Sequence, residues 1–162
     1  MRPTRDQWAM DVAKLTASRS TCCRRNVGCV ILNARGHVLA TGYNGVAAGL
    51  PHCNEVRPGS DAVQIAEAEP WTFPNACSGY KAPSGTNLDG CEAIHAEQNA
   101  LLQCKSIYEI DTIYVTASPC VTCTKLLLNT SCRRVVYLEE YPHSQAKDMW
   151  LKAGREWQKF DK

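Results

Sequence analysis

Little net charge and no long apolar run characterise this chain. Its 18 Lys and Arg residues nearly balance 16 Asp and Glu residues, which leaves a formal net charge of +2. This balance offers no broad basic surface for duplex DNA or RNA, so we expect no nucleic acid polymer as a partner. No segment approaches the roughly 20 apolar residues of a transmembrane helix, and residues 1–8 lack the apolar stretch of a secretory signal. We therefore expect a protein of the cytoplasm (the host cytoplasm if the source is viral) without a membrane partner.

Cysteine, by contrast, is abundant, with ten residues in a chain of 162. Because the cytoplasm is reducing, we expect these cysteines to be metal ligands or small buried side chains, and not disulfides. Cys29, Cys104 and Cys132 lie within or beside apolar runs, which favours burial. Cys23 is compatible with either role.

Apolar periodicity and clusters of β-branched residues predict alternating helices and strands. The predicted helices lie at 5–18, 94–104, 120–129 and 145–153. The predicted strands lie at 27–32, 38–43, 112–118 and 134–139, with a weak edge strand at 155–160. In this prediction Trp8, Val12 and Leu15 form the apolar face of the first helix. Alternation after an initial hairpin favours parallel pairing and a sheet covered on both faces, so the predicted class is α/β in one domain over residues 1–162.

Residues 44–90 interrupt this pattern. They are rich in Gly, Pro, Asn and Ser and show no sustained apolar period. Structureless loops of this length are uncommon in compact domains, so we expect this one to be disordered, functional, or held by something other than a core. Cys53 and Cys77 lie in the loop, and Cys22 and Cys91 bracket it.

Two short motifs carry the candidate chemistry. His95-Ala96-Glu97 starts one predicted helix, and Cys120 and Cys123 start another, three positions apart. Residues so spaced project from one helix face, and the helix dipole favours their thiolate forms. One His and two Cys supply three ligands for zinc, and a catalytic zinc leaves its fourth position to a water whose pKa falls to about 7. Glu97 is then best interpreted as the proton carrier between that water and the substrate.

Each motif alone has a simpler interpretation. A lone Cys-x-x-Cys is compatible with a redox pair or with half of a structural zinc site, and a lone His-x-Glu with an ordinary helix surface. Their joint occurrence at two predicted helix starts, with a strand leading into the second, favours the catalytic interpretation.

With these motifs the chain resembles the zinc-dependent cytidine/deoxycytidylate deaminase superfamily, most closely the deoxycytidylate (dCMP) deaminases of bacteria and phages. The resemblance covers about residues 8–153 and rests on the pattern H-x-E followed by P-C-x-x-C. Further matching segments are Arg19–Cys22, Val27–Ile31, Thr41–Gly45, Ala48–Cys53 and Val136–Pro142. The resemblance implies a three-layer α/β/α fold with a mixed, mostly five-stranded sheet. It also implies hydrolytic deamination of dCMP to dUMP and ammonia, which supplies dUMP for thymidylate synthesis.

The resemblance also assigns substrate contacts. It implies that Asn44 hydrogen-bonds the sugar or base, that the backbone N–H of Ala96 contacts the base O2, and that the carbonyl of Ser118 contacts the amine. Tyr141 is expected to pack on the base or sugar. Without the resemblance, Asn44 would be interpreted as a turn residue and Tyr141 as an ordinary half-buried aromatic residue.

A second, structural zinc is expected to hold the long loop. Cys22, Cys53 and Cys91 match positions at which members of the superfamily often carry a second zinc. Cys77 is added from its place in the loop, and His52 competes for the fourth position. Four thiolates would form a closed zinc site, whereas scattered free cysteines are the alternative.

The 5′-phosphate of the substrate is assigned to a polar and basic cluster beside the expected pocket mouth. Its members are Arg19, Ser20, Arg24 and Arg25. A buried phosphate favours charge-assisted donors, although a solvated charged turn is the alternative.

A nucleotide effector is assigned to the turn at the start of the loop. This turn consists of Gly42, Tyr43, Asn44 and Gly45, whose backbone N–H groups could face phosphates. The resemblance implies a homohexamer that is activated by dCTP and inhibited by dTTP, and Mg²⁺ is a candidate companion of the effector.

Two other functions stay open from the sequence. A deaminase of free cytidine, of another pyrimidine or of a tRNA base would not need the 5′-phosphate. A non-enzymatic, zinc-stabilised binding module would not need the carboxylate of Glu97.

Overall fold

A five-stranded mixed sheet lies between two helical layers in the computed structural model, which describes residues 1–55 and 76–161. Residues 56–75 of the predicted loop 44–90 lie outside the described residues. None of the helices in the described ranges has the length and apolar character needed to span a bilayer.

The predicted helices and strands are confirmed, with ends shifted by at most two residues. The helices are α1 (Arg5–Ala17), α2 (Ala96–Gln103), α3 (Val121–Leu128) and α4 (Gln145–Lys152). The strands are β1 (Gly28–Asn33), β2 (Val38–Tyr43), β3 (Gly45–Val46), β4 (Ala93–Ile94), β5 (Ile110–Ala117), β6 (Arg134–Glu139) and β7 (Glu156–Lys159). The short strands β3 and β4 were not predicted, because two residues are too few to show a period.

The main sheet has the order β2-β1-β5-β6-β7. β1 is antiparallel to both β2 and β5, whereas β5, β6 and β7 run parallel. The predicted hairpin and the predicted parallel half are therefore confirmed. In this arrangement β5 is the central strand at which the antiparallel and parallel halves join.

Alternating residues of the central strands build two cores. On one face, Cys29 and Ile31 pack with residues of α2, α3 and α4. On the other face, Val30 and Leu32 pack with α1. This division confirms the three-layer α/β/α class. Cys29 and Cys132 are fully buried as predicted, and the half-buried Cys104 packs against the first core.

The predicted apolar face of α1 is wrong for Trp8 and Leu15, whereas Val12 packs against the second core as predicted. Trp8 is 40% exposed and Leu15 is 73% exposed, while the residues that face the sheet are Ala9, Met10, Ala13 and Ala17. Small side chains are favoured here because α1 lies close to β1. A Cβ added to Gly28 would lie 2.0 Å from the carbonyl oxygen of Ala13.

One polar network ties the start of α1 to β5 and β6. The carboxylate of Asp6 accepts a hydrogen bond from the Tyr114 hydroxyl (2.6 Å) and two from the Arg134 guanidinium (3.0 and 2.6 Å). The hydrogen bonds from Arg134 are the largest cause that lowers the pKa of Asp6. Tyr114 belongs to β5 and Arg134 to β6, so this carboxylate joins three elements.

We predict that Asp6→Ala lowers the free energy of unfolding by about 1–3 kcal/mol at neutral pH, because both donors lose their acceptor. A lowered folded-state pKa means that this contribution is present above the unfolded value of about 3.9 and disappears as the pH falls through the folded value. Urea unfolding of parent and variant at pH 7, and then stepwise below about pH 4, measures the difference.

Asp11→Ala is the matched control on the same helix. It removes only an exposed pair with Lys14 (3.0 Å) and should change stability by less than about 0.5 kcal/mol. Equal losses in the two variants would contradict the structural role of Asp6.

Candidate active site and metal centre

Two helix N-termini meet at the carboxyl end of β5. His95 is the N-cap residue of α2, and its backbone N–H donates to the Gln98 side chain (2.9 Å). Cys120 is the N-cap residue of α3, and its sulfur accepts from the backbone N–H of Cys123 (3.5 Å). The predicted positions of both motifs at helix starts are therefore confirmed. Unpaired N–H groups at these starts favour negative charge, including thiolates.

The three predicted ligands lie together. The Nδ1 atom of His95 lies 3.4 Å from the sulfur of Cys120 and 3.4 Å from the sulfur of Cys123. All three ligand atoms lie within 4.8 Å of one another, and no other group of three His, Cys, Asp or Glu residues in 1–55 and 76–161 does so. Tetrahedral zinc, with bonds of about 2.0 Å to nitrogen and about 2.3 Å to sulfur, would place these atoms about 3.5 Å apart. The donor set and its spacing therefore fit zinc, with one position left for water.

The two thiols share one negative charge when no cation is bound. A hydrogen bond from Cys123 is the largest cause that lowers the pKa of Cys120 to about 4. The same contact raises the pKa of Cys123. The pKa of His95 is also raised, chiefly by its hydrogen bond with Cys120. A cation between the three atoms would stabilise both thiolates and neutral imidazole, which is the form that ligates metal.

Glu97 lies beside this centre in the first turn of α2. Its side chain is 3% exposed, and burial raises the pKa of its carboxyl to about 7. The carboxyl does not join the three-ligand group. A buried acid with a pKa near neutrality can both accept and donate a proton at physiological pH.

α2 is held close to β2 at Gly42. A Cβ added at Gly42 would lie 2.2 Å from the carbonyl oxygen of Ala96 and 2.4 Å from the backbone nitrogen of Ala100. The Asn99 side chain adds a hydrogen bond to the Tyr43 carbonyl (2.8 Å). Because position 42 has no side chain, α2 can approach β2 this closely, and this approach determines the positions of His95 and Glu97 at the start of α2.

A cleft opens in front of the metal centre. It encloses about 580 Å³, counting space open to solvent at its mouth. The predicted substrate residues Asn44, Ala96, Ser118 and Tyr141 all line it. The cleft therefore brings together Glu97, two of the three candidate metal ligands (His95 and Cys120) and these four residues.

Asn44 is buried and already engaged. Its Oδ1 accepts from the Ser20 hydroxyl (2.6 Å) and the Val27 N–H (2.8 Å), and its Nδ2 donates to the Arg25 carbonyl (2.8 Å). Since Nδ2 carries two hydrogens, one donor remains for a ligand. Asn44 thus holds residues 20–27 in place at the cleft wall as well as facing the cleft.

The predicted phosphate cluster divides in two. Arg24 and Arg25 line the cleft, whereas Arg19 and Ser20 are not among its lining residues. The guanidinium of Arg25 pairs with the exposed carboxylate of Glu139. The Nη2 atom of Arg24 donates to two backbone carbonyls of residues 83–86.

The cysteines of the expected second site lie near one another. Within residues 1–55 and 76–161, however, they do not form a group as compact as that of His95, Cys120 and Cys123. Cys53 and Cys91 lie close enough to Cys77 to help lower the pKa of its thiol. Cys53 also interacts with Cys23, the cysteine whose role the sequence left open. Cys22 contributes to the wall of the cleft. His52, the competing ligand, has a buried Nδ1 without a hydrogen-bond partner in the described part of the chain.

The turn assigned to an effector is largely enclosed. Gly42, Asn44 and Gly45 are buried, and Tyr43 is half-buried. Gly42 packs on α2, and a Cβ at Gly45 would lie 2.9 Å from the Thr21 hydroxyl. The structure therefore gives these glycines packing roles, and of the four residues only Asn44 lines the cleft.

Several cleft residues escaped the sequence analysis. Val27, Ala93 and Ala117 supply apolar surface, and Ser84 and Gly85 come from the long loop. The Pro-Ser-Gly-Thr sequence at 83–86 is a recognisable turn signal, but no local pattern could place that turn against the cleft.

We predict that Gly42→Ala destabilises the fold by about 1–3 kcal/mol and weakens zinc retention, because the added methyl group displaces α2 and with it His95. Gly28→Ala is the matched control. Its added methyl group would lie 2.0 Å from the carbonyl oxygen of Ala13 in α1, a helix that carries no candidate metal ligand. Urea unfolding and zinc loss to a chelator measure the two effects. Similar zinc loss in both variants would show that the effect is general destabilisation.

Comparison with known proteins agrees with this geometry. A model of the cytidine and deoxycytidylate deaminase zinc-binding region matches residues 3–139. Deoxycytidylate deaminase of Mycobacterium phage D29 is 36% identical over 143 residues, which are 86% of this chain and 98% of the phage protein. Deoxycytidylate deaminase of Saccharomyces cerevisiae is 35% identical over 87% of this chain and 39% of the yeast protein, so the chain spans about two fifths of that relative.

A solved structure is similar over the full length of both chains. The dCMP deaminase of cyanophage S-TIM5 in complex with dCMP and dUMP has a TM-score of 0.70 and 26% identity, and the match covers 99% of each chain. The range that the family model matches includes both the His95 and the Cys120 motif. This chain therefore belongs to the cytidine and deoxycytidylate deaminase family.

Proposed function

We propose that this protein hydrolyses dCMP to dUMP and ammonia, with zinc held by His95, Cys120 and Cys123 and with Glu97 as proton carrier. The observation that carries the proposal is the buried carboxyl of Glu97 in the cleft, beside three metal ligands. A closed structural zinc site has four protein ligands and needs no adjacent acid, so this arrangement supports catalysis over a binding module. The S-TIM5 enzyme, solved with dCMP and dUMP, supports dCMP as the substrate.

The proton steps of this proposal fall to Glu97. When bound, zinc would act as a Lewis acid that lowers the pKa of a water to about 7. Glu97 accepts a proton from the attacking water and delivers it to the cytosine ring nitrogen beside the amine-bearing carbon. The water oxygen bonds to that carbon, which then carries both a hydroxyl and the amine. Glu97 takes the remaining hydroxyl proton and passes it to the amine, so that the C–N bond breaks, ammonia departs and a carbonyl remains on the ring. Its pKa of about 7 suits both directions of transfer.

Backbone groups orient the base in this scheme. Ala96 is the first residue of α2, so its N–H has no acceptor within the helix and can donate to the base O2. The carbonyl of Ser118 accepts from the amine. Ser118 is held by two hydrogen bonds, from its N–H to Glu139 (2.9 Å) and from the Tyr141 N–H to its hydroxyl (2.7 Å). The same residue therefore positions both the amine acceptor and Tyr141, which packs on the sugar or base.

Arg25 is the cation we assign to the 5′-phosphate. It lines the cleft, and its partner Glu139 is exposed, so a phosphate can compete for the guanidinium. Arg19 and Ser20 are left out of this assignment, because the Ser20 hydroxyl is committed to Asn44 and neither residue is among those that line the cleft.

Glu97→Gln tests the proton carrier. The amide keeps size and polarity but cannot shuttle protons, so we expect turnover to fall by roughly three orders of magnitude or more. Zinc content should stay at the level of the parent, because Glu97 is not a ligand. Ammonia release and elemental analysis measure the two quantities. A variant that keeps more than about a tenth of the activity would remove Glu97 from this role.

Ammonia release across dCMP, dCTP, deoxycytidine and a tRNA substrate tests the substrate assignment. We expect the highest kcat/KM for dCMP, since Arg25 gains a phosphate contact that deoxycytidine cannot offer. Equal kcat/KM for dCMP and deoxycytidine would contradict the phosphate site. Activity confined to tRNA would replace the proposal by the competing tRNA-base hypothesis.

We further propose a structural zinc on Cys53, Cys77, Cys91 and one thiol of the Cys22–Cys23 pair. Burial opposes ionisation of Cys77, yet backbone contacts at Glu92 and Gly79 act against this effect, and the pKa of Cys77 is lowered. A backbone contact at Ala93 acts in the same direction on Cys91, although burial raises the pKa of that thiol overall. Backbone donors stabilise thiolates, the form that metal requires.

Elemental analysis of purified protein should therefore give two zinc ions per chain, as one catalytic and one structural site require. Cys53→Ser should lower the ratio to one. Cys104→Ser is the control, because the Cys104 thiol donates a hydrogen bond to the Ser106 carbonyl (3.5 Å) and is not a proposed ligand, so the ratio should stay at two. Of Cys22→Ser and Cys23→Ser, the variant that keeps two zinc ions identifies the thiol that is not a ligand. One zinc in the parent would remove the structural site.

Regulation and assembly remain part of the proposal on the strength of the family resemblance. We propose a homohexamer activated by dCTP and inhibited by dTTP, with Mg²⁺ accompanying the effector. The turn 42–45 supports this role only weakly, because Gly42 and Gly45 are buried against neighbouring elements.

A further inference from the structure

A four-residue turn from the long loop forms part of the cleft wall. The N–H of Thr86 donates to the carbonyl of Pro83 (3.0 Å), and Gly85 has a φ of 85°. Glycine is favoured at this position of a type II turn because a side chain would be strained there. Ser84 and Gly85, the two central residues, line the cleft that contains Glu97.

Two anchors hold this turn in place from opposite sides. From the segment after α1, the Nη2 atom of Arg24 donates to the carbonyls of Pro83 (2.6 Å) and Thr86 (3.0 Å). From the segment after β6, the Nε2 atom of His143 lies 3.3 Å from the Gly85 carbonyl. The turn therefore bridges two regions that are distant in sequence, and its position depends on both.

Gly85 also lies directly against Tyr141. A Cβ added at Gly85 would lie 3.1 Å from the Tyr141 hydroxyl oxygen and 3.1 Å from the Pro142 ring. Tyr141 is the residue assigned to the sugar or base. The turn thus lies against Tyr141 in the wall of the cleft, which Arg25 also lines.

The turn presents donors towards that space. Within residues 1–55 and 76–161, the Ser84 hydroxyl and the N–H groups of Ser84 and Gly85 have no hydrogen-bond acceptor. Successive turn N–H groups with a hydroxyl and a nearby guanidinium suit a phosphate, which accepts several charge-assisted hydrogen bonds.

We propose that the turn Pro83–Thr86 is a substrate-recognition element that closes on the 5′-phosphate together with Arg25, and that Arg24 is a positioning residue which holds the turn there. This inference rests on the proposed dCMP deaminase function and deepens it. Arg24, a candidate phosphate ligand from the sequence, acts through the turn in this arrangement. The long loop then determines the preference for a nucleotide over a nucleoside.

Steady-state kinetics with dCMP and deoxycytidine test the proposal. Arg24→Ala and Gly85→Ala should each raise KM for dCMP about tenfold or more, with kcat within about threefold of the parent. For deoxycytidine, which lacks the phosphate, kcat/KM of Arg24→Ala should change by less than about threefold. Gly85→Ala, whose added methyl group meets Tyr141, should lose clearly more kcat/KM for dCMP than for deoxycytidine. Gly154→Ala is the matched control, because Gly154 has a φ of 73° but an added Cβ meets nothing within 4 Å. It should leave both substrates unaffected.

The double variant R24A/G85A separates positioning from direct contact. If Arg24 acts through the turn, KM for dCMP in the double variant should equal that of whichever single variant, Arg24→Ala or Gly85→Ala, has the higher KM. Multiplied effects would mean that Arg24 contacts the phosphate independently, which would overturn its positioning role. Ser84→Ala, a small change on an exposed residue, is the variant to use if the others fold poorly, and it should raise KM for dCMP several-fold.

Two results would overturn the recognition role of the turn. One is an unchanged KM for dCMP in Gly85→Ala and Ser84→Ala, and the other is an equal loss for dCMP and deoxycytidine. A parent protein that releases no ammonia from dCMP would instead overturn the proposed function, so the two failures are distinguishable.

Discussion

Ligand atoms from two separate helix starts have to lie within 4.8 Å of one another, and much of the architecture serves that requirement. β5 delivers Cys120 directly to the start of α3, whereas α2 reaches the same place only by lying almost in contact with β2 at Gly42. Backbone packing at this density leaves little room for adjustment. The metal centre is thus positioned by the packing of a helix on a sheet and not by the ligands alone.

The cleft is assembled from segments that are far apart in the chain. Residues 20–27 are held by Asn44, the segment after β6 is held by Ser118, and the long loop is held by Arg24. Each of these residues uses side-chain hydrogen bonds to fix backbone that itself faces the cleft. Rigid supports of this kind keep substrate-facing groups in place before a ligand arrives, which lowers the ordering cost of binding.

Local patterns in the sequence were enough for the helices, the main strands and the placement of His95, Cys120 and Cys123 at helix starts, because spacing at a helix start is a short-range property. They failed for the face of α1. Trp8 and Leu15 are more hydrophobic than alanine, so the apolar pattern favoured their face of the helix, whereas close packing on Gly28 favours the smaller residues. They also could not separate Arg24 from Arg25. Neighbours in sequence, these two side chains contact partners more than 50 positions away, which only the tertiary structure brings near.

The two-residue ladder between β3 and β4 pairs Gly45 with Ile94 and Val46 with Ala93, so the ends of the intervening chain are pinned together beside α2. Closing a loop between pinned ends costs entropy that grows only with the logarithm of its length, about 0.6 kcal/mol for each doubling. Chain can therefore be added or removed between these strands at little thermodynamic expense to the sheet. The fold can therefore change the length of the segment that we propose to contact the nucleotide, while the ladder keeps the position of α2, and with it His95 and Glu97, unchanged.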